Sequence, residues 1–123
     1  VTNGHPDIQA RKVRALGLER LVDTVVYAAD HGSGAGKPEA AAFQAACQAL
    51  GVAPSAAVFV GDDPVCDMAG ARGAGLRTIW LPSRVVGASS RGVDAADVIV
   101  ASLADVPAAA ARLVLPEWRA HVA

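Results

Sequence analysis

Apolar and polar residues alternate in blocks along this chain. Four short runs are β-branched or apolar, and turn residues bound each of them: residues 24–29, 57–60, 77–81 and 97–101. Runs of this length are typical of strands that are buried on both faces of a parallel sheet. Helical segments separate the runs, so the pattern predicts an α/β fold.

Four segments carry the signals of a helix start and a helix stop. Proline at the first position and glycine just past the end are the strongest of these signals. The predicted helices are residues 6–16 (Pro6, Gly17), 38–50 (Pro38, Gly51), about 64–74 (Pro64, Gly75) and 103–113, the last with Ser102 or Asp105 as its cap.

Composition narrows the class of protein. The 123 residues are 53% hydrophobic with a mean hydropathy of +0.34, which fits one globular domain over residues 1–123. A net charge of −1 and a pI near 6.3 favour neither a nucleic-acid partner nor an anionic membrane. Cys47 and Cys66 lie in different predicted helices without metal spacing, so we expect reduced thiols and a cytoplasmic location.

An acidic turn at residues 61–63 follows the run 57–60, at the end of a strand where open α/β sheets bind ligands. Asp63 precedes Pro64 and is therefore expected to cap the helix. Asp62 is not needed as a cap and is free to hold a hard cation. Asp67 lies one helical turn further on and is a candidate partner for a metal-bound water. The alternative is a solvated acidic loop with a cap.

The glycine-rich loop at residues 30–37 does not match a nucleotide-binding motif. His31 and Pro38 occupy positions where the phosphate loop needs glycine and a hydroxyl residue. We interpret the loop as a flexible connection that places Lys37 at the start of the next helix.

Several other conspicuous side chains are expected to have ordinary structural roles. Met68 and Trp80 are interpreted as core packing. The three histidines are expected to be solvated and uninvolved in chemistry: His5, His31 and His121.

Three separated segments together resemble one known family. They are VTNG with Thr2, GKPEAAAF with Lys37, and VGDDPVCDMAGARGAGLRTIWL with Asp62 and Asp67. Their order and context resemble the second, third and fourth motifs of the haloacid dehalogenase-like (HAD) hydrolase superfamily, in particular its phosphatase-like subfamily I. The resemblance extends over nearly the whole chain. It implies a three-layer α/β/α Rossmann-like core with a mostly parallel sheet, here incomplete.

The resemblance also implies roles for individual residues. Thr2 would hydrogen-bond the transferring phosphoryl group, helped by the backbone N–H of Asn3, and Lys37 would neutralise its charge. Asp62 would coordinate Mg²⁺. Asp67 would not need to touch the metal and would support the site by holding the ligands around it, directly or through a water molecule. These roles suit phosphoryl transfer, which depends on positioning and on electrostatic stabilisation.

The family's first motif, a strand ending in Asp-x-Asp that carries the nucleophile, is not found before Thr2, and neither is the cap. We therefore expect this chain to be the C-terminal part of a longer hydrolase and to be inactive alone. That hydrolase would act on a small phosphorylated metabolite through an aspartyl-phosphate on the missing segment. The gap in the sheet would be filled by that segment or by a second copy.

Two other functions stay open. One is a non-enzymatic HAD-like binding or regulatory module, and the other is a 2-haloacid dehalogenase-type hydrolase. A phospho-receiver domain is disfavoured, because there the acidic pair precedes the threonine and the lysine.

Overall fold

The computed structural model describes residues 1–83 and 93–115. Its helices are α1 (Pro6–Ala15), α2 (Ala40–Leu50), a π-helical turn (Pro64–Ala69) that runs into α3 (Gly70–Gly73), and α4 (Val106–Val114). Its strands are β1 (Val58–Gly61), β2 (Arg77–Trp80) and β3 (Val98–Ile99). Short 3₁₀ turns join these elements.

The three strands form a parallel sheet in the order β1-β2-β3. Phe43 and Cys47 of α2 pack with Ala71 and Leu76 on one face of this sheet, where Phe59 joins them. On the other face, Ile79 and Val100 pack against α4. The layers are helix, sheet and helix, as the sequence predicts.

The run 24–29 does not form the predicted strand. It meets the chain start in one parallel bridge, Thr2 to Tyr27, and then turns into the 3₁₀ helix Ala28–Asp30. The bridge consists of two hydrogen bonds of 2.9 Å, from Thr2 N–H to the Val26 carbonyl and from Ala28 N–H to the Thr2 carbonyl. After this bridge the chain turns away at Gly4, which has φ 104°.

The helix predicted at residues 38–50 begins later, at Ala40. Pro38 is not at its first position, because Glu39 is still extended (φ −57°, ψ 139°). Pro38 follows a cis peptide bond and lies in the turn before the helix. The end of the helix is as predicted, at Gly51 with φ 66°.

The loop at residues 30–37 is a series of hydrogen-bonded turns and not a featureless connection. The carboxylate of Glu39 accepts hydrogen bonds from the backbone N–H and the hydroxyl of Ser33. The Ser33 hydroxyl oxygen in turn accepts from the Ala35 N–H at 3.2 Å. Hydrogen bonds within the loop therefore order the segment that leads to Lys37.

Neither predicted cap of the last helix makes a capping bond. The Ser102 hydroxyl donates to Asp105 Oδ2 at 3.0 Å, so the two side chains bind each other and not the free backbone N–H groups of the helix. The 3₁₀ helix Leu103–Asp105 precedes α4, which begins at Val106.

The helix that follows the acidic turn lies close to α2. A Cβ atom on Gly70 would lie 2.9 Å from the Phe43 ring and 2.9 Å from Pro38 Cα. Glycine is therefore required at this contact, and the contact fixes the acidic turn against the segment that carries Lys37.

A groove that we call the strand gap separates β1 from the Thr2–Tyr27 bridge. It holds a cavity of about 250 Å³. Val1 and Val26 line one side, Val58 and Val60 line the other, and Cys47 of α2 lies among the apolar residues between them. Within the described residues, β1 has a strand neighbour on one side only.

Met68 and Trp80 are buried, as expected of core residues. Cys47 and Cys66 are free thiols. His5 is exposed and His31 is half-buried, whereas His121 lies outside the described residues. In the part of the chain that the structure describes, no helix is both long enough and apolar enough to cross a bilayer.

Candidate active site

Asp67 lies at the centre of a buried network beside the end of β1. Its side chain is 6% exposed, and its Oδ1 atom lies 2.5 Å from the Lys37 ammonium. Its Oδ2 atom accepts hydrogen bonds of 3.1 Å from the backbone N–H groups of Asp62 and Asp63. The carboxylate thus meets a cation and two backbone donors, which is how a buried charge is compensated.

Gly61 makes room for this carboxylate. A Cβ atom at that position would overlap Cβ, Cγ and Oδ2 of Asp67. Three donors hold the Asp67 carboxylate, so it cannot shift away from an added side chain without breaking hydrogen bonds. A residue with a side chain at position 61 would therefore break the network.

The ammonium end of Lys37 has two side-chain partners. Its side chain is 11% exposed. Besides the ion pair, its Nζ atom lies 5.4 Å from the centroid of the Phe59 ring, a cation–π geometry. Phe59 packs edge-on against Phe43 with 4.9 Å between ring centroids. The sheet and α2 together therefore fix the ammonium.

Asp62 is fixed through its backbone and not through its side chain. Its N–H donates to Asp67, and its carbonyl accepts from Trp80 Nε1 at 3.0 Å. The residue is exposed, and its carboxylate has no hydrogen bond or ion pair to any other described residue. It is available to an external ligand.

Asp63 caps the π-helical turn. Its Oδ1 atom accepts from the N–H groups of Val65 and Cys66 at 2.8 and 2.7 Å. Burial raises the pKa of the Cys66 thiol, and the negative charges of Asp63 and Asp67 raise it further against the opposing charge of Lys37. Cys66 is therefore kept as a neutral thiol beside the acidic turn.

Asn3, which follows Thr2 at the start of the chain, contacts Lys37. The backbone of Thr2 is fixed by its bridge to Tyr27, and its hydroxyl lies 3.4 Å from the Asn3 carbonyl. The Asn3 carboxamide binds the backbone of Lys37 through two hydrogen bonds, of 2.8 and 3.1 Å. The sequence did not reveal this side-chain contact, because it joins residues 34 positions apart.

A metal ion at this turn would have few protein ligands among the described residues. No group of three or more His, Cys, Asp or Glu side chains in residues 1–83 and 93–115 is placed to hold a metal. Asp67 uses both oxygens on protein donors and Asp63 is a cap, which leaves the Asp62 carboxylate. Mg²⁺ commonly takes one or two carboxylates and completes its shell with water and phosphate oxygens, and Asp62 fits that pattern.

Comparison with known proteins identifies the family of this chain. A model of the haloacid dehalogenase-like hydrolases matches residues 1–75. The chain belongs to this family. The family resemblance and the α/β fold predicted from the sequence are confirmed by this match.

The curated relatives of this HAD chain include phosphatases. It is 42% identical over 81 residues to the phosphoserine phosphatase of Thermus thermophilus, covering 66% of this chain and 32% of that protein. It is 34% identical over 82 residues to human N-acylneuraminate-9-phosphatase, again covering 66% of this chain and 32% of the relative. The chain thus spans about a third of the length of these relatives.

Solved structures show the same HAD core. A HAD phosphatase from Thermococcus onnurineus superimposes with a TM-score of 0.71 at 31% identity, covering 85% of this chain and 46% of that one. A 2-haloacid dehalogenase from Pseudomonas syringae gives a TM-score of 0.65 at 39% identity, covering 81% of this chain and 42% of that one. Both comparisons support the α/β core.

Proposed function

We propose that this chain supplies the phosphate-binding and metal-binding half of a magnesium-dependent phosphatase that acts on a small phosphorylated metabolite. The observation that supports the proposal best is the Lys37–Asp67–Asp62 network. It holds the Lys37 ammonium and leaves the exposed carboxylate of Asp62 without a partner among the described residues, a combination that suits a phosphoryl group and a cation. The phosphatases among the curated relatives point the same way.

Each residue then has a defined task. The Lys37 ammonium offsets negative charge on the phosphoryl oxygens, and the Thr2 hydroxyl and the Asn3 N–H donate hydrogen bonds to them. Asp62 would hold Mg²⁺, which supplies further charge stabilisation when bound. Asp67 keeps Lys37 and the Asp62 backbone in place.

The nucleophile is proposed to lie on another segment of a longer protein. A carboxylate there attacks phosphorus, and the substrate oxygen takes a proton from a second carboxylic acid of that segment and leaves as an alcohol. That second group then takes a proton from water, which attacks the aspartyl-phosphate and releases phosphate and the free carboxylate. The strand gap supports this part of the proposal, since it lies between the segment of Thr2 and the strand that leads to Asp62 and is lined by apolar residues of both.

The test is Asp62→Asn in the longer protein, with p-nitrophenyl phosphate as a generic substrate. We expect kcat to fall about 100-fold or more, because electrostatic groups at phosphoryl transfer are worth that much. Mn²⁺ binding, followed by calorimetry, should weaken in parallel, while the circular dichroism spectrum stays unchanged. Asp23→Asn is the matched control, since Asp23 is exposed and lies outside the network. Retained activity in Asp62→Asn would remove Asp62 from the metal site.

A dehalogenase is the second candidate, favoured by the 39% identity to the Pseudomonas syringae enzyme. It predicts halide release from a 2-haloacid without added metal and no loss on removal of Mg²⁺. Halide release without phosphatase activity would replace the leading proposal. Activity on neither substrate would favour a binding or regulatory module.

A further inference from the structure

We propose that Asn3 is a positioning residue whose carboxamide holds the backbone of Lys37 and so sets the Lys37 ammonium relative to Thr2. The proposal rests on the function proposed above and assigns Asn3 a side-chain role beside that of its backbone N–H. It makes the first segment and the glycine-rich loop one unit.

The geometry is a two-point contact between one side chain and one backbone residue. Asn3 Oδ1 accepts the Lys37 N–H at 2.8 Å, and Asn3 Nδ2 donates to the Lys37 carbonyl at 3.1 Å. Only a carboxamide offers an acceptor and a donor side by side in this way, whereas an ionised aspartate is an acceptor only. Both polar groups of Asn3 are therefore committed to Lys37.

Asn3 is itself anchored. The Thr2 backbone before it bonds to Val26 and Ala28, and the Asn3 carbonyl accepts from the Gln9 side chain. The contact therefore ties Lys37 to a residue that has hydrogen-bonded partners elsewhere in the fold.

The glycine-rich loop is shaped for this contact at Gly36. This residue is buried with φ 79°, and a Cβ atom there would lie 2.8 Å from Asn3 Oδ1 and 3.3 Å from Asn3 Cγ. Glycine admits both the backbone conformation and the approach of the carboxamide. Gly36 of the loop is therefore needed for the contact between Asn3 and Lys37.

The contact matters because the lysine side chain is long and flexible. Asp67 and Phe59 hold its ammonium, but the backbone from which it extends lies in a loop outside any helix or strand. A shift of about 1 Å in a positioned group is enough to reduce turnover roughly 100-fold. Asn3 prevents such a shift at the backbone end.

The first readout is hydrogen exchange at the Lys37 amide, measured at single-residue resolution in the longer protein. Asn3→Ala should speed this exchange about 10-fold, which is one hydrogen bond's worth of protection. Asn3→Asp keeps the acceptor for the Lys37 N–H but loses the donor to the Lys37 carbonyl, so its exchange should be faster than in wild type and slower than in Asn3→Ala. Gln44→Ala, which removes an exposed carboxamide from α2, is the control and should change nothing. Unchanged exchange in Asn3→Ala, or wild-type exchange in Asn3→Asp, would overturn the two-point contact.

The second readout is turnover of p-nitrophenyl phosphate. We expect Asn3→Ala to lower kcat between 10-fold and about 100-fold with a smaller change in KM, and Gln44→Ala to match wild type. Asn3→Asp is not a useful variant for the turnover assay, because its added negative charge would repel phosphate directly. Faster exchange with full turnover would overturn the positioning role. An inactive wild type would instead overturn the proposed function, and the exchange data would still decide whether Asn3 holds Lys37.

Discussion

Asp63 and Asp67 are two nearby carboxylates with different duties. Asp63 is exposed and satisfies backbone N–H groups that the start of a helix leaves without partners. Asp67 is buried and holds a cation and the peptide of Asp62 in place. The difference follows from where each side chain points along the chain. Asp63 binds N–H groups that come after it, whereas Asp67 binds N–H groups that come before it.

The cap can be tested by itself. Asp63→Ala should lower the free energy of unfolding by about 1 kcal/mol, and Asp63→Asn should change it by only a few tenths, because asparagine caps as well as aspartate does. Urea denaturation measures both, with Asp23→Ala as an exposed control. Equal losses for Asn and Ala would mean that the charge of Asp63 matters and not its capping bonds.

At this scale the sequence was informative wherever the contact is local. The cap at Asp63 could be predicted because Pro64 and the free N–H groups lie within three residues of it. The pairing of Asp67 with Lys37 spans 30 positions, and only the family resemblance placed both residues at one site. The side-chain contact of Asn3 had no signal in a single sequence.

Among the elements, the loop that leads to Lys37 is closed by the carboxylate of Glu39. Glu39 accepts two hydrogen bonds from Ser33, and they lower the pKa of its carboxyl group. The ionised form is therefore favoured in the folded loop. The two residues close the loop just ahead of α2.

This pairing predicts a pH dependence of stability. A carboxyl group whose pKa is lowered by folding stabilises the fold above its unfolded pKa, about 4.3, and loses that effect as the pH falls through the folded value. Ser33→Ala should thus lower Tm at pH 7, and the difference from wild type should shrink toward pH 3. Ser55→Ala, at another exposed serine, is the control. A difference that stays constant with pH would contradict the link to Glu39.

The elements that the pattern predicted well are those of a local strand, helix and strand unit. β1, the helix after it and β2 are close in sequence, so their apolar pattern and turn residues decide the outcome. The run 24–29 has strand-forming residues too, but a ladder needs a neighbour, and here it has a single bridge. The start of α2 depended on the turn at residues 37–39, which the rule for proline at a helix start does not describe.

On the scale of the whole molecule, the strand gap is the main departure from a finished sheet. Unpaired strand edges are normally protected in natural proteins, since they invite pairing with other chains. Here the edge of β1 faces an apolar groove and Val60 is 36% exposed. This is the surface that we propose another strand covers.

Val60→Lys in the longer protein tests that proposal. If a strand fills the gap, the ammonium would be buried without a partner, and we expect the free energy of unfolding to fall by about 2–4 kcal/mol. Val52→Lys is the matched control, because Val52 is 40% exposed and does not line the gap. Similar small losses for both variants would show that Val60 stays open to water.

Trp80 gives this molecule a built-in optical probe. Its indole N–H bonds directly to the carbonyl of Asp62, and the chain has one other tryptophan, Trp118. With Trp118 replaced by phenylalanine, the tryptophan emission of this chain would come from Trp80 alone, whose indole is hydrogen-bonded to the acidic turn. A titration with metal or phosphate could then be followed by fluorescence alone, without any turnover.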